Sequence, residues 1–213
     1  METLFPVFLN LAGKNCLVVG GGRVATRKAA DLLDYKAEIT VVSPEAGAKI
    51  KGWDETGGIV WRKKLFSPDD LSGMYLVMAA TGSPLLNREI AELCRRRGIM
   101  INAADDPDNC DFFVPSVMRR KSLAIAVSTE GKSPLFARLL RQRLESVITD
   151  SYGDLVELLG EKREIIRAMA LDDSQRRQLV TSLIDESTLE FLEQGEYEKI
   201  RERIEKCMSS RQG

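Results

Sequence analysis

The sequence predicts an α/β protein in which a parallel-sheet domain is followed by a small α+β region and then by a helical domain. Three observations carry this expectation. Within residues 15–43 an apolar run, a glycine turn and an amphipathic helix lead into a second apolar run. Further apolar runs then alternate with helical patterns as far as Ala103, and beyond residue 150 every periodic segment is helical. The corresponding domains are expected over residues 1–113, 114–150 and 151–213.

Residues 16–19, CLVV, suit a strand buried on both faces, and Gly20, Gly21 and Gly22 end it. A helix follows because Val24, Ala25, Ala29, Leu32 and Leu33 recur at helical spacing, with Arg23, Arg27, Lys28, Asp31 and Asp34 largely on other faces. Residues 39–42 restore a strand, 58–62 are a weaker strand, and 67–73 read as a turn or short helix. Residues 74–81 form a strong strand ending in small residues. A helix over 84–96 runs through Leu86, Ile90, Ala91 and Leu93 until Gly98, and a strand over 99–103 enters the acidic stretch 104–112. Two short apolar segments, 112–118 and 123–127, flank Arg119-Arg120-Lys121 and read as a hairpin with a basic turn. After polar residues 128–134, a helix is expected over 135–148. In the tail, Leu155, Val156, Leu158 and Leu159 begin a helix that Ile165 and Ile166 extend or restart. Leu179, Val180, Leu183 and Ile184 mark another, and one final element holds Leu189, Phe191, Leu192, Tyr197 and Ile200.

The first turn reads Gly20-x-Gly22-x-x-Ala25, placed between a strand and a helix. In a dinucleotide-binding unit the first glycine permits the tight turn, the second lets backbone approach a pyrophosphate, and the small third residue allows close helix packing. A merely tight strand-to-helix turn is the plainer alternative. The first domain is therefore expected to be Rossmann-like, with Gly20, Gly21, Gly22, Arg23, Val24 and Ala25 at the cofactor. Ser43, Ala80 and Thr81 join them from the ends of later strands. The second strand ends in Val42-Ser43-Pro44-Glu45; Ser43 is placed to meet a ribose hydroxyl, and no arginine stands there for a 2'-phosphate, which favours NAD over NADP.

Composition narrows the chemistry. The 213 residues carry 31 Lys plus Arg, 32 Asp plus Glu and no histidine. Ser-His-Asp and Cys-His catalysis and His-containing zinc sites are excluded, leaving acid-base work to Asp, Glu, Lys, Tyr, Cys or the substrate. Cys16, Cys94, Cys110 and Cys207 form no CxxC pair, which suggests a reducing cytosol and no structural metal site. No window reaches 18 apolar residues, and the net charge of -1 gives no whole-chain case for nucleic acid or membrane. Residues 114–145 are locally basic, with seven Lys or Arg against two Glu for a net of +5. This segment is either a solvated helix face or the counterpart of an anionic partner, for which a polycarboxylate fits better than nucleic acid. Ser128, Thr129 and Ser133 are suited to anion binding or, equally, to capping the next helix.

Four strings in order, FPVFLNLAGKNCLVVGGGRVATRKAADLL from Phe5, AAT from Ala79, NAADDPDNCDFFVPS from Asn102 and AVSTEGKSPLFARLLRQRLE from Ala126, resemble the precorrin-2 dehydrogenase and sirohydrochlorin ferrochelatase family. This family includes the N-terminal half of bacterial siroheme synthase, and the resemblance spans about residues 2–205. It implies NAD-dependent oxidation of precorrin-2 to sirohydrochlorin, followed in bifunctional members by insertion of ferrous iron as a substrate. Dehydrogenase-only members and a non-catalytic NAD-binding sensor are the alternatives. The resemblance further implies a cytoplasmic homodimer with a central dimerisation region, and a separate uroporphyrinogen methyltransferase, since a methyltransferase half does not fit in 213 residues. It places the important aspartate on Asp105, the catalytic candidate, while Asp106 and Asp108 are adequately explained as turn formers. The serine-rich loop maps onto Ser128 and Thr129. Asn102, Ser128, Thr129, Lys132 and Arg138 are the substrate-binding candidates.

Overall fold

The computed structural model describes residues 3–209, which fall into two compact units divided between Val114 and Pro115. In the first, β1 (Asn15–Val19), β2 (Glu38–Val42), β3 (Val60–Arg62), β4 (Leu76–Ala79) and β5 (Met100–Ala103) form a parallel sheet in the order β3-β2-β1-β4-β5. The strand order reverses between β1 and β4, which is where an open parallel sheet leaves a crevice. Val19 is level with both Val42 and Ala79, and Ala79 with Ala103, so four strands end together and their following loops share one edge.

Helices α1 (Arg23–Asp34), α2 (Ala48–Glu55) and α3 (Pro84–Arg97) cover the two faces of this sheet. Cys16, Val18, Ile39, Val41 and Met78 pack with Ala25, Ala29 and Leu32 of α1 and with Ile50 of α2. The alternate strand residues, among them Leu17, Val19, Val77, Ala79 and Ile101, pack with Ile90, Ala91 and Cys94 of α3. Burial on both faces explains why these strands read as continuous apolar runs. The sequence pattern does not announce α2: Gly52 interrupts it and Ile50 is its one buried residue, so tertiary packing outweighs weak local preference. The ambiguous stretch before β4 is a 3-10 turn, Pro68–Leu71, closed by a reciprocal Ser67–Asp70 cap.

The second unit begins with an antiparallel pair, β6 (Ser116–Arg120) and β7 (Leu123–Val127). Arg119 and Arg120 belong to β6, not to the turn, which is only Lys121-Ser122 with Lys121 at φ 51°. The chain continues through α4 (Pro134–Val147), α5 (Asp150–Ala168), α6 (Asp173–Ser182), α7 (Glu186–Glu193) and α8 (Tyr197–Ser209). Ile165 and Ile166 extend α5 without a break, whereas the single element expected at the end is two helices, α7 and α8. Leu155, Ile166, Leu179, Leu183, Leu192, Ile200, Ile204 and Met208 form the helical core.

Candidate active site

The loops after β1, β2, β4 and β5 open onto a cleft of about 870 Å³ at the carboxyl edge of the parallel sheet. Its first wall is the glycine turn. Gly20 has φ 123°, and a Cβ there would lie 2.3 Å from the Ala80 carbonyl oxygen; one on Gly21 would lie 1.9 Å from that of Glu45. These two glycines let neighbouring loops close on the turn. Gly22 is different, because it sits at φ -82° and its added Cβ would meet no protein atom within 4 Å. It occupies the N-cap of α1 without a side-chain cap, so first-turn N–H groups and the positive end of the helix dipole are left for an anion. Gly22, Arg23 and Val24 line the cleft here, and a bare backbone of this kind fits a pyrophosphate. Ala25 is fully buried and packs in the core, not on the wall.

Ser43, Pro44 and Glu45 form the second wall, with Leu65 and Phe66 supplying apolar surface. The Ser43 hydroxyl oxygen accepts from Trp61 Nε1 at 3.1 Å, which leaves its own proton to donate. Ala80, Thr81 and Gly82 form the third wall. Thr81 is fixed by Asn87, whose Oδ1 accepts from both the Thr81 hydroxyl (2.7 Å) and its backbone N–H (3.2 Å).

The fourth wall, Ala104, Asp105 and Asp106, is the exit of β5. Asp105 is exposed, holds the left-handed φ of 58°, and forms no hydrogen bond or ion pair among the described residues. Asp106 is committed: its Oδ2 accepts from Arg88 Nε at 3.3 Å and from Asn109 Nδ2 at 2.9 Å. Asp108 does not line the cleft. Beneath this exit the chain leaves β5 and returns to it. Asp111 N–H donates to the Ile101 carbonyl, Ile101 N–H to Asp111 Oδ2, and Asn102 Nδ2 to the Phe112 carbonyl. Asn102 is buried and engaged inside the protein, so it supports the wall instead of lining it. Sequence reasoning passed over Asn87, Arg88 and Lys28, because each reads as an ordinary polar residue of an amphipathic helix.

The remaining candidates lie in the second unit. Ser128 Oγ accepts from Glu130 N–H, Thr129 Oγ1 from Ser133 N–H, and Ser133 Oγ caps α4 by accepting from Phe136 N–H. Lys132 and Arg138 are exposed. The basic segment is less cationic than its sequence window suggests. Arg120 pairs with Asp150 (3.1 Å), Lys121 with Asp154 (2.6 Å) and Arg141 with Glu145, and the first two acids come from α5, outside the window counted. Among the described residues no group of three or more His, Cys, Asp or Glu side chains converges as a metal site, and no helix is long and apolar enough to cross a membrane.

The parallel sheet and its glycine-walled cleft define a dinucleotide-binding protein, and comparison with known proteins agrees. A family described as "Putative NAD(P)-binding" matches residues 7–116, and one described as "Sirohaem biosynthesis protein central" matches residues 120–146. The siroheme synthase of Nitrosococcus oceani is 36% identical over 203 residues, covering 95% of this chain and 43% of that protein. That of Thioalkalivibrio sulfidiphilus is 38% identical over 206 residues, covering 97% and 42%. A solved structure, "SirC, precorrin-2 dehydrogenase", has a TM-score of 0.78 and 29% identity over 95% of this chain and 100% of that one. The chain belongs to the siroheme synthase and precorrin-2 dehydrogenase family. It spans under half the length of these curated siroheme synthases.

Proposed function

We propose that this chain oxidises precorrin-2 to sirohydrochlorin with NAD, using Asp105 as the proton acceptor. The observation that carries this reading is an unengaged, exposed carboxylate on the same cleft as an uncapped helix start and a bare Gly22. The oxidation removes a hydride and a proton from the macrocycle. NAD, when bound, supplies the hydride acceptor. The chain's own residues do the rest. The first turn of α1 holds the pyrophosphate, Ser43 donates to a ribose oxygen, Ala80 and Thr81 border the dinucleotide, and Asp105 takes the proton.

Preference for NAD over NADP is supported by the cations nearest β2. Arg62 and Lys64 are drawn to the buried carboxylate of Asp70, at 3.3 and 2.8 Å, and neither lines the cleft. Precorrin-2 is a polycarboxylate, so exposed Lys132 and Arg138, with the Ser128-Thr129 turn, are our candidates for meeting its acidic side chains. Asn102 serves the substrate indirectly in this reading, by holding the Asp105 wall. A homodimer is part of the same proposal, supported by Leu135, Phe136, Leu139 and Leu140, which leave an apolar stripe exposed on α4. The four free cysteines support a cytoplasmic setting.

The test is direct: purified protein, precorrin-2 and NAD mixed anaerobically are expected to yield NADH and sirohydrochlorin in equal amounts. A folded protein that binds NAD without turnover refutes the dehydrogenase and leaves the sensor. Ferrous iron insertion is the second step of the proposal. The macrocycle brings the four nitrogen ligands, so the chain need only receive pyrrole protons, a task open to Asp105 without a resident metal site. Siroheme formation from sirohydrochlorin and ferrous iron no faster than without protein leaves a dehydrogenase-only enzyme.

A further inference from the structure

Lys28 lies on the inner side of α1, partly buried, and its Nζ donates to Asn102 Oδ1 with Met78 Sδ at 3.9 Å. Among the described residues it forms no ion pair, although Asp31 on its own helix and Asp105 on the β5 loop both act on it electrostatically. A cation that gives up water for a neutral amide oxygen contributes little stability, so its placement calls for another account. The neighbouring geometry provides one. By occupying Oδ1, Lys28 fixes which way the Asn102 amide points, and Nδ2 then donates to the Phe112 carbonyl at 2.9 Å. One step along, Cys110 Sγ lies 3.2 Å from both the N–H and the carbonyl oxygen of Ala103. These contacts close the base of the loop that carries Asp105 in its left-handed conformation.

We propose that Lys28 is a positioning residue for Asp105: through Asn102 it locks the loop that presents the carboxylate. The inference rests on the reading of Asp105 as the base. Burial lowers the Lys28 pKa from its ordinary value, and neighbouring Arg27 adds to this, while Cys110, Asp31 and Asp105 oppose it.

The experiment compares Lys28→Met, which removes donor and charge, with Lys28→Gln, which keeps a donor, using precorrin-2 and NAD. Lys28→Met is expected to melt no lower than the parent and to bind NAD within about twofold, while kcat/KM falls about tenfold or more. The loss falls on kcat, with KM for precorrin-2 held within about twofold, because the carboxylate is misplaced while the binding surface is kept. Lys28→Gln keeps a donor on a shorter side chain and recovers part of this, with a kcat loss of about threefold. A parental kcat in a folded Lys28→Met overturns the proposal. Should that variant fail to fold, a parental kcat in Lys28→Gln does so. Asp105→Asn separates the two levels: if it turns over like the parent, the base assignment fails, whereas an inactive Asp105→Asn beside unaffected Lys28 variants overturns only the role of Lys28.

Discussion

Gly22 offers a substitution whose structural and functional effects separate. In Gly22→Ala the new methyl meets no protein atom within 4 Å, and φ -82° is open to any residue, so there is no steric or conformational cost. What remains is the poorer N-cap, about 0.5–1 kcal/mol, or a melting point lower by about 2–6 °C. Yet the methyl stands in the cleft where a pyrophosphate would approach the first-turn amides. Losing one good charge-assisted hydrogen bond costs about 1.5–3 kcal/mol, so NAD affinity is expected to fall about 10- to 150-fold. Gly20→Ala is the contrasting control. A left-handed φ of 123° and a Cβ 2.3 Å from the Ala80 carbonyl oxygen together cost about 2–5 kcal/mol, which damages the fold itself. Thermal melts and calorimetric titration with NAD measure both quantities on the same samples. A folded Gly22→Ala protein that binds NAD as tightly as the parent refutes pyrophosphate binding at this turn.

Asp105→Asn keeps a residue tolerant of left-handed φ, so it is expected to fold and bind NAD normally while turnover drops about 10²-fold or more. Asp106→Asn removes the charge from a half-buried pair with Arg88 but keeps an acceptor oxygen, and should cost about 1–2 kcal/mol in stability without abolishing turnover; the same kinetic and melting measurements decide. Burial pushes the Cys16 and Cys94 thiols up to about 11, above their unfolded values. Their contribution to stability is therefore intact below about pH 9 and is lost as pH rises towards 11, visible as falling denaturant midpoints over that range. A midpoint that stays level from pH 8 to 11 contradicts this. For Asp70, burial opposes ionisation, but hydrogen bonds from Lys64 and Ser67 outweigh it and lower the pKa. Its stabilisation is thus present above about pH 4 and lost as pH falls through the folded value, and Asp70→Asn should flatten that part of the acid-unfolding curve.

The parallel-sheet unit was legible because its signals are local and redundant. Strands buried on both faces are apolar throughout, and the glycine turn must fall between a strand and a helix to be read at all. Helix α2 was not legible, since a single buried Ile50 leaves no periodicity to detect. The break between α7 and α8 was missed because the apolar residues on either side keep helical spacing across it. The basic segment misled in the opposite direction. A charge count over a window cannot include Asp150 and Asp154, which fold back from α5 onto Arg120 and Lys121.

The acidic run after β5 shows what kind of information a sequence withholds. Asp105, Asp106 and Asp108 have the same side chain within four positions, and chemistry alone ranks none of them. The fold divides them by partner: Arg88 and Asn109 hold the Asp106 carboxylate, Asp108 falls away from the cleft, and Asp105, at a left-handed φ, lines the cleft with no hydrogen bond or ion pair among the described residues. A proton acceptor has to keep its lone pairs available for substrate, so the unsatisfied carboxylate suits the task and the satisfied one does not. The Asp105 loop is in turn held by contacts below it, from Asn102, Cys110 and Asp111, of which the sequence marks Asn102 alone as a site candidate, and then as a substrate contact. A chain without histidine can thus set apart one unengaged carboxylate among three by backbone geometry and hydrogen-bond partnering, with no unusual residue type to mark it.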